Sequence, residues 1–515
     1  MASERVKLVD GATGKRKVRE PVAHEGPKTV DGATEKGKVR EPVAPERANL
    51  VVGATEKRKG RKPVAQWRKP AVTITENERN GNPVIKSILF PSNAVTENKE
   101  DTQERNVNME KIAGGATAAK GFQAASCAAG IKKNGTPDMA MLYSTAPCTA
   151  AGTFTTNIVK AAPVLWDRNI VQGSGTAQAV VINSGVANAC TGQEGYESCR
   201  KTAQAAAGVL QIGENEVFVA STGVIGQQIP TDKIVAGVKQ MAPQLLATVE
   251  AGAAAAKAIM TTDTVPKEVA VTAEIGGKNV TIGGMCKGSG MIHPNMCTML
   301  CFVTTDAAVS KEMLQKALSD VVQDTFNMVS VDGDTSTNDT VLLMANGLAG
   351  NEVIAAEGED YEIFRSALRE VCTVLAKKIA SDGEGATKLF ETKVIHAVDK
   401  EQAVTLSKAV ITSNLTKAAI FGADANWGRI LCAMGYSGAA FDPDRVDLCF
   451  ESAAGKIQIM ENGSALPFSE ELATKILSEK EVRALVDLHA GEAEATAWGC
   501  DLTYDYVKIN ADYRS

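Results

Sequence analysis

Gly283–Asp306 reads GGMCKGSGMIHPNMCTMLCFVTTD. Its KGSG turn lacks the GxxxxGK[ST] spacing of a phosphate-binding loop, so the glycines are read as room for a tight backbone path. A polar, turn-forming His293-Pro294-Asn295 follows, and Cys297-Thr298 then leads into an apolar run, predicted to be a strand over Met299–Thr304. A threonine where a loop enters a strand ordinarily does no more than favour β structure. One chemistry needs this arrangement, however. If the Cys297–Thr298 bond is cut, Thr298 gains a free α-amino group beside its own hydroxyl. An amine with an ordinary pKa of about 7.7–8.0 is a suitable base for that hydroxyl at neutral pH, so one residue supplies both nucleophile and base.

Such a mechanism needs no histidine, and the chain has only His24, His293, His396 and His489. That scarcity weakens a Ser-His-Asp triad or a His-rich metal centre. Cys286, Cys297 and Cys301 are not spaced C-x2-C and have no second pair nearby; they are read as small buried hydrophobes, and no metal is expected. Eleven cysteines, an odd number without a CxxC pair, argue against a disulfide framework and fit a reduced compartment. His293 and the NWGR stretch around Trp427 and Arg429 are read as structural, through turn contacts and layer packing.

The chain has 515 residues, 44% hydrophobic and 23% charged, an ordinary globular balance with room for a large α/β body. No stretch reaches the ~18 apolar residues that span a bilayer, and the first thirty residues lack the apolar region of a secretory signal. Aromatics at 4% leave little for stacking nucleic-acid bases.

Charge is unevenly spread. Residues 1–70 hold 18 Lys and Arg against 9 Asp and Glu, whereas the other 445 hold 37 against 52. VDGATGKRKVREPVA at Val9, VDGATEKGKVREPVA at Val30 and VVGATEKRKGRKPVA at Val51 repeat with a 21-residue period. Each copy offers only scattered Val and Ala, too little apolar surface to offset chain ordering. Residues 1–108 are therefore expected to be a disordered basic leader or linker. Such charge can bind nucleic acid or anionic lipid, but a single aromatic, Trp67, and no motif accompany it, and neither partner is expected.

From Met109 onward strands and helices alternate. Strands are predicted at Ala179–Ile182 and Val217–Ala220, with NSGVANACTG (Asn183–Gly192) as a loop. Helices are predicted over Glu194–Leu210, Asp232–Leu246, Glu250–Met260, Ser310–Phe326 with Ser310 as N-cap, and Asp360–Ile379. Gly276-Gly277 between Glu268–Ile275 and Asn279–Ile282 signals a hairpin. Trp498, Cys500, Leu502, Tyr504 and Tyr506 alternate with small or polar residues, which predicts a strand over Trp498–Tyr506. Without a regular βαβ cadence, the expected class is α/β or α+β, a layered sandwich of mixed sheets and helices.

KGSGMIHPNMCTML resembles the self-cleavage signature of the ornithine acetyltransferase family, the glutamate N-acetyltransferases of arginine biosynthesis. The likeness runs from about Lys111 to Ser515, through KGFQAASCAAGIK, AGTFTTNIVKAAPV, INSGVANACTG, ASTGVIGQQIP, AIMTTDT, DGDTSTNDT, SDGEGATK, FGADANWGRI and INADYRS, in the family's order. Cys297 departs from it, because the family usually has alanine before the scissile bond; both are small. The 21-residue repeats have no counterpart there.

The resemblance implies self-processing between Cys297 and Thr298, giving an alpha chain over 109–297 and a beta chain over 298–515, assembled as a heterotetramer. It implies Thr298 as the nucleophile that carries the acetyl group, with Thr222 and Gly223 as the oxyanion hole. Thr261, Lys287, Thr298, Glu384, Asn510 and the terminal Ser515 are implied as the substrate set, with Thr264 as the alternative to Thr261. Lys287 suits a substrate carboxylate and Glu384 an amino group. The implied reaction moves acetyl from N2-acetyl-L-ornithine to L-glutamate. It needs no cofactor, and acetyl-CoA is allowed as a second donor. An amidase or aminopeptidase of the same self-processing design, with water as acceptor, is the alternative. The family occurs in bacterial cytoplasm, fungal mitochondria and plastids; the long leader points to the chloroplast, with the mitochondrion as alternative.

Overall fold

The computed structural model describes residues 109–293 and 299–512; the basic repeats, the Cys297–Thr298 bond and Ser515 lie outside the described residues. Strands β1 (Met109–Ile112), β2 (Phe122–Cys127), β3 (Met139–Phe154), β4 (Thr176–Val186), β5 (Val217–Val224), β6 (Lys267–Ile275), β7 (Lys278–Lys287), β8 (Leu300–Thr305) and β9 (Thr340–Ala345) form one sheet. Its order is β1-β6-β7-β8-β9-β3-β4-β5, with β2 beside β3. Only β8/β9 and β4/β5 are parallel pairs. Strands β10 (Leu389–Ala397), β11 (Asp447–Ser452), β12 (Gly455–Glu461), β13 (Ser464–Ala465), β14 (Glu481–Asp487) and β15 (Ala493–Cys500) form a second sheet, ordered β13-β12-β11-β14-β10-β15.

Successive side chains of a strand point to opposite faces, and the middle of the first sheet uses both. Leu300 and Phe302 of β8, with Leu342 and Met344 of β9, enter one core; Cys301 and Val303, with Val341 and Leu343, enter the other. Both strands are buried along their whole length, which explains why they read as unbroken apolar runs. One core is closed by α1 (Ala162–Gln172), α2 (Gly192–Leu210), α3 (Thr231–Met241) and α4 (Val249–Ala258). The other takes in α5 (Lys311–Asp324), α6 (Glu359–Ser381), α7 (Lys400–Thr412), α8 (Asn414–Phe421), α9 (Trp427–Gly435), α10 (Glu470–Leu477) and the inner face of the second sheet. Helix α6 spans the layers, packing on β6 and β7 and reaching β10 and β15. The layered class of mixed sheets and helices is thus observed. No helix among the described residues is long and apolar enough to cross a membrane.

Several expectations need correction. The helix predicted over Asp232–Leu246 stops at Met241 and passes into a 3-10 turn at Ala242–Gln244. Pro243 sits in that turn and cannot donate the hydrogen bond that would continue the helix. The loop predicted from Asn183 starts only after Val186, because β4 stays paired with the end of β5. The strand predicted over Trp498–Tyr506 ends at Cys500, and α11 (Tyr504–Asp512) follows. Cys500 is paired with Leu389, the first residue of β10, so no partner remains beyond it. The Asp501 carboxylate then accepts from the Thr387 and Lys388 amides at 2.8 and 3.0 Å, which turns the chain. NWGR starts α9: Asn426 Oδ1 caps the Arg429 amide, and the Arg429 guanidinium holds the Leu415 carbonyl.

Candidate active site

A cavity of about 340 Å³ opens where β5, β7, β8 and β9 meet the loops between them, a size suited to a small ligand. Thr222, Gly223, Thr261, Lys287, Glu384 and Asn510 all line it, and so does Met299, the residue bonded to Thr298. Six of the expected residues, separated by up to 288 positions, therefore come together. Cys297, Thr298 and Ser515 lie outside the described residues.

Thr222 and Gly223 end β5 opposite Ser184 and Gly185 of β4. Gly223 has φ +132, and a Cβ there would lie 2.3 Å from the Gly185 carbonyl carbon. Only glycine allows this approach. Asn338 fixes the neighbouring chain: its Nδ2 donates to the Ala187 carbonyl at 2.6 Å and to the Ser221 carbonyl at 2.8 Å. Ser221 Oγ donates to Asn183 Oδ1 at 2.7 Å. The backbone that presents Thr222 is thereby held from two sides.

Lys287 closes β7 and is 8% exposed. Its Nζ is 3.9 Å from Asp263 Oδ2, too far for a close hydrogen bond. Behind it lies a buried chain of charge. Lys267, 0% exposed, bonds Asp263 Oδ1 at 2.7 Å and Asp382 Oδ2 at 2.5 Å. The Gly288 amide adds a bond of 2.6 Å to Asp263, and the Thr264 hydroxyl donates to Asp382. Burial alone would raise the Asp263 pKa, but Lys287, Lys267 and these bonds hold it well below the usual carboxylate range. Burial likewise works to lower the Lys267 pKa, and the two carboxylates overcome it and raise it. Thr264 is committed to Asp382, while Thr261 and Thr262 line the cavity.

Glu384, 9% exposed, follows α6 and accepts from Asn510 Nδ2 of α11 at 2.8 Å. Among the described residues no cation pairs with it. A Cβ on Gly290 would lie 2.3 Å from the Glu384 carboxyl carbon, so glycine makes room for that carboxylate. An unpaired buried charge is costly, and a carboxylate in this position suits an incoming ammonium group. Lys287 and Glu384 thus offer one positive and one negative contact within one cavity.

Sequence reasoning assigned no role to Ser336, Thr337, Asn338 or Asp339, which also line the cavity. The DGDTSTNDT motif contained them, and its density of short polar residues just before an apolar strand was the available signal. Asp339 is 1% exposed, its Oδ2 has no hydrogen-bond partner among the described residues, and burial pushes its pKa well up. Asp332, in the same motif, accepts from the Met291 and Ile292 amides at 2.6 and 2.8 Å and so holds the loop after Lys287. His293 makes turn contacts: Nδ1 lies 3.1 Å from Ser330 Oγ, and its carbonyl accepts from Thr335 Oγ1 at 2.9 Å. Cys286 and Cys301 are buried opposite each other on β7 and β8.

Known proteins bear on this geometry. The arginine biosynthesis bifunctional protein ArgJ of Symbiobacterium thermophilum is 56% identical over 409 residues, covering 79% of this chain and 100% of that protein. The chloroplastic ArgJ of Oryza sativa subsp. indica is 44% identical over 411 residues, covering 78% and 88%. The crystal structure of ArgJ from Bacillus halodurans is 49% identical and covers 42% of this chain and 100% of that one, with a TM-score of 0.40. The sequence profile of the ArgJ family matches residues 123–515. With that match spanning most of the chain and the cavity assembled from its motifs, the chain belongs to the ArgJ family.

Proposed function

We propose that this chain is a bifunctional enzyme of arginine biosynthesis that transfers acetyl from N2-acetyl-L-ornithine to L-glutamate through an acetyl-Thr298 ester. The observation that carries the reading is the placement of Lys287 and Glu384, opposite in charge, in the cavity that Met299 also lines. Both amino acids are zwitterions, and such a pair matches their carboxylate and ammonium ends.

In the first event Thr298 Oγ attacks the Cys297 carbonyl, and water hydrolyses the resulting ester. This leaves a Cys297 carboxylate and a Thr298 α-amine. That amine takes the Oγ proton as Oγ attacks the acetyl carbon of acetylornithine. Thr222 Oγ and the Gly223 amide stabilise the oxyanion. The proton then passes to the departing ornithine amine, and the glutamate amine reverses the sequence on the ester. Lys287 binds the substrate carboxylate, Glu384 and Asn510 the amino group, and Thr261 and Ser515 complete the set. Acetyl-CoA serves as an alternative donor, and no cofactor takes part. The cleaved chains assemble as a heterotetramer. Residues 1–108 act as a plastid-directing leader, a reading supported by the chloroplastic rice relative.

Thr298→Ala tests this directly. The protein should remain one full-length chain and form no acetyl-enzyme; an active, uncut Thr298→Ala protein overturns the mechanism. Incubating wild type with acetylornithine, with and without glutamate, separates transferase from amidase. N-acetylglutamate should form, and free acetate as the main product would favour water as the acceptor.

A further inference from the structure

His396, Asp487 and His489 each bring one metal-ligating atom within 4.8 Å of the others. None of them lines the cavity described above. They gather at one end of the second sheet, where β10 runs parallel to β14 with Ile395 opposite Asp487, and β11 runs antiparallel to β14 with Asp447 opposite Asp487. The imidazoles stack with centroids 6.3 Å apart and planes at 22°, and their side chains are 52% and 39% exposed.

Three side chains converge on one point here. Asp447 Oδ2 lies 2.8 Å from His489 Nε2. A carboxylate only accepts, so this contact puts the proton on Nε2. His489 Nδ1 faces Asp487 Oδ1, 3.4 Å away, and that oxygen also accepts from the His489 amide at 3.0 Å. The same oxygen is 2.8 Å from His396 Nδ1. Two imidazole nitrogens thus converge on one carboxylate oxygen, a donor set that suits a metal ion. A carboxylate behind a liganding imidazole is also how metal-bound histidines are usually oriented. The backbone already holds the rings in place: the Ala490 and Gly491 amides donate to the His396 carbonyl at 2.8 and 2.9 Å, and Arg445 holds the His489 carbonyl.

We propose that His396, Asp487 and His489 form a surface Zn2+ site, with Asp447 orienting His489 and solvent completing the coordination. Two imidazoles and one carboxylate suit zinc and do not suit Mg2+, which prefers an all-oxygen shell. Binding displaces the proton that His396 Nδ1 otherwise shares with Asp487. The ion joins the ends of β10 and β14, with β11 held through Asp447.

The test is calorimetric titration of the full chain with Zn2+, with Mg2+ as control, beside His396→Gln, His489→Gln and Asp447→Asn. Wild type should bind one Zn2+ that both glutamine variants lose, and its thermal midpoint should rise with Zn2+ while theirs does not. Asp447→Asn should weaken that site about 10–100-fold. Binding to thiols is common to all four proteins and cancels in the comparison. His396 is half exposed, so its replacement leaves folding intact and keeps the test valid should His489→Gln not fold. Equal Zn2+ uptake by wild type and His396→Gln overturns the site and leaves only imidazole–carboxylate hydrogen bonds.

Discussion

Asn510 of the C-terminal helix donates its Nδ2 proton to Glu384 Oε2 at 2.8 Å, so the last helix of the chain closes on the cavity. Asn510→Ala should raise KM for acetylornithine by the equivalent of about 1–3 kcal/mol, the usual penalty for a buried partner left unpaired. Removing 510–515 should raise it further while self-cleavage continues. Steady-state kinetics and an electrophoretic gel check both, and unaltered KM in the truncated protein would remove the helix from the site.

Gly290→Ala probes the same carboxylate without touching its chemistry. The new methyl would lie 2.3 Å from the Glu384 carboxyl carbon, so the flexible end of that side chain must swing aside into the cavity, at little cost to folding. KM for acetylornithine should rise more than kcat falls. Wild-type kinetics in the Gly290→Ala protein would show that Glu384 need not stay where it is.

Thr222→Ala should act mainly on rate. Loss of one oxyanion donor typically lowers kcat about 10²–10³-fold, with little change in KM. Gly223→Ala is a harsher change, because its Cβ would collide with the backbone at Gly185 rather than with a flexible side chain. That variant is expected to lose soluble protein, whereas Thr222→Ala should remain folded by circular dichroism.

Two buried carboxyls should respond to pH with opposite sign. Asp263 has a depressed pKa, so its stabilisation is present at neutral pH and lost as pH falls through the carboxylate range and below. Removing one partner of a buried pair costs about 3–5 kcal/mol, so Asp263→Asn should be much less stable at pH 7 and still so near pH 4, the difference closing only as pH falls well below the ordinary value of about 3.9. Asp339 has a raised pKa; its contribution is present below the ordinary value of about 3.9 and is lost as pH rises. Asp339→Asn should therefore be no less stable than its parent at pH 7. Urea unfolding in a Thr298→Ala background, which should keep one chain, measures both.

Local signals carried much of the fold. Gly276 and Gly277, at φ +55 and +71, make the hairpin between β6 and β7, and Ser310 caps α5 through the Met313 amide. Both features are decided within a few residues. The end of β15 was not legible, because what stops it is the start of β10 more than a hundred residues earlier. The site divided in the same way. Lys287 and Glu384 were legible only through the family resemblance of their motifs, whereas Asn338 matters through carbonyls at Ala187 and Ser221, which no local pattern reveals. The Lys267 chain behind Lys287 was hidden for the same reason, since Asp382 is 115 residues away.

Strand β8 is interior, paired with β7 on one side and β9 on the other, and the proposed break at Cys297–Thr298 would fall just ahead of it. The piece before the break supplies β7, and the piece after it supplies β8 and β9. Once severed, the two halves cannot part without tearing a strand out of the middle of a sheet. Reassembly after denaturation then needs two separate molecules to meet, so recovery should grow with protein concentration, while the uncut precursor recovers at a rate independent of it. Processing would in this way make a reversible folding reaction depend on history: the enzyme would be put together once, as a single chain, and would afterwards persist chiefly because it does not come apart.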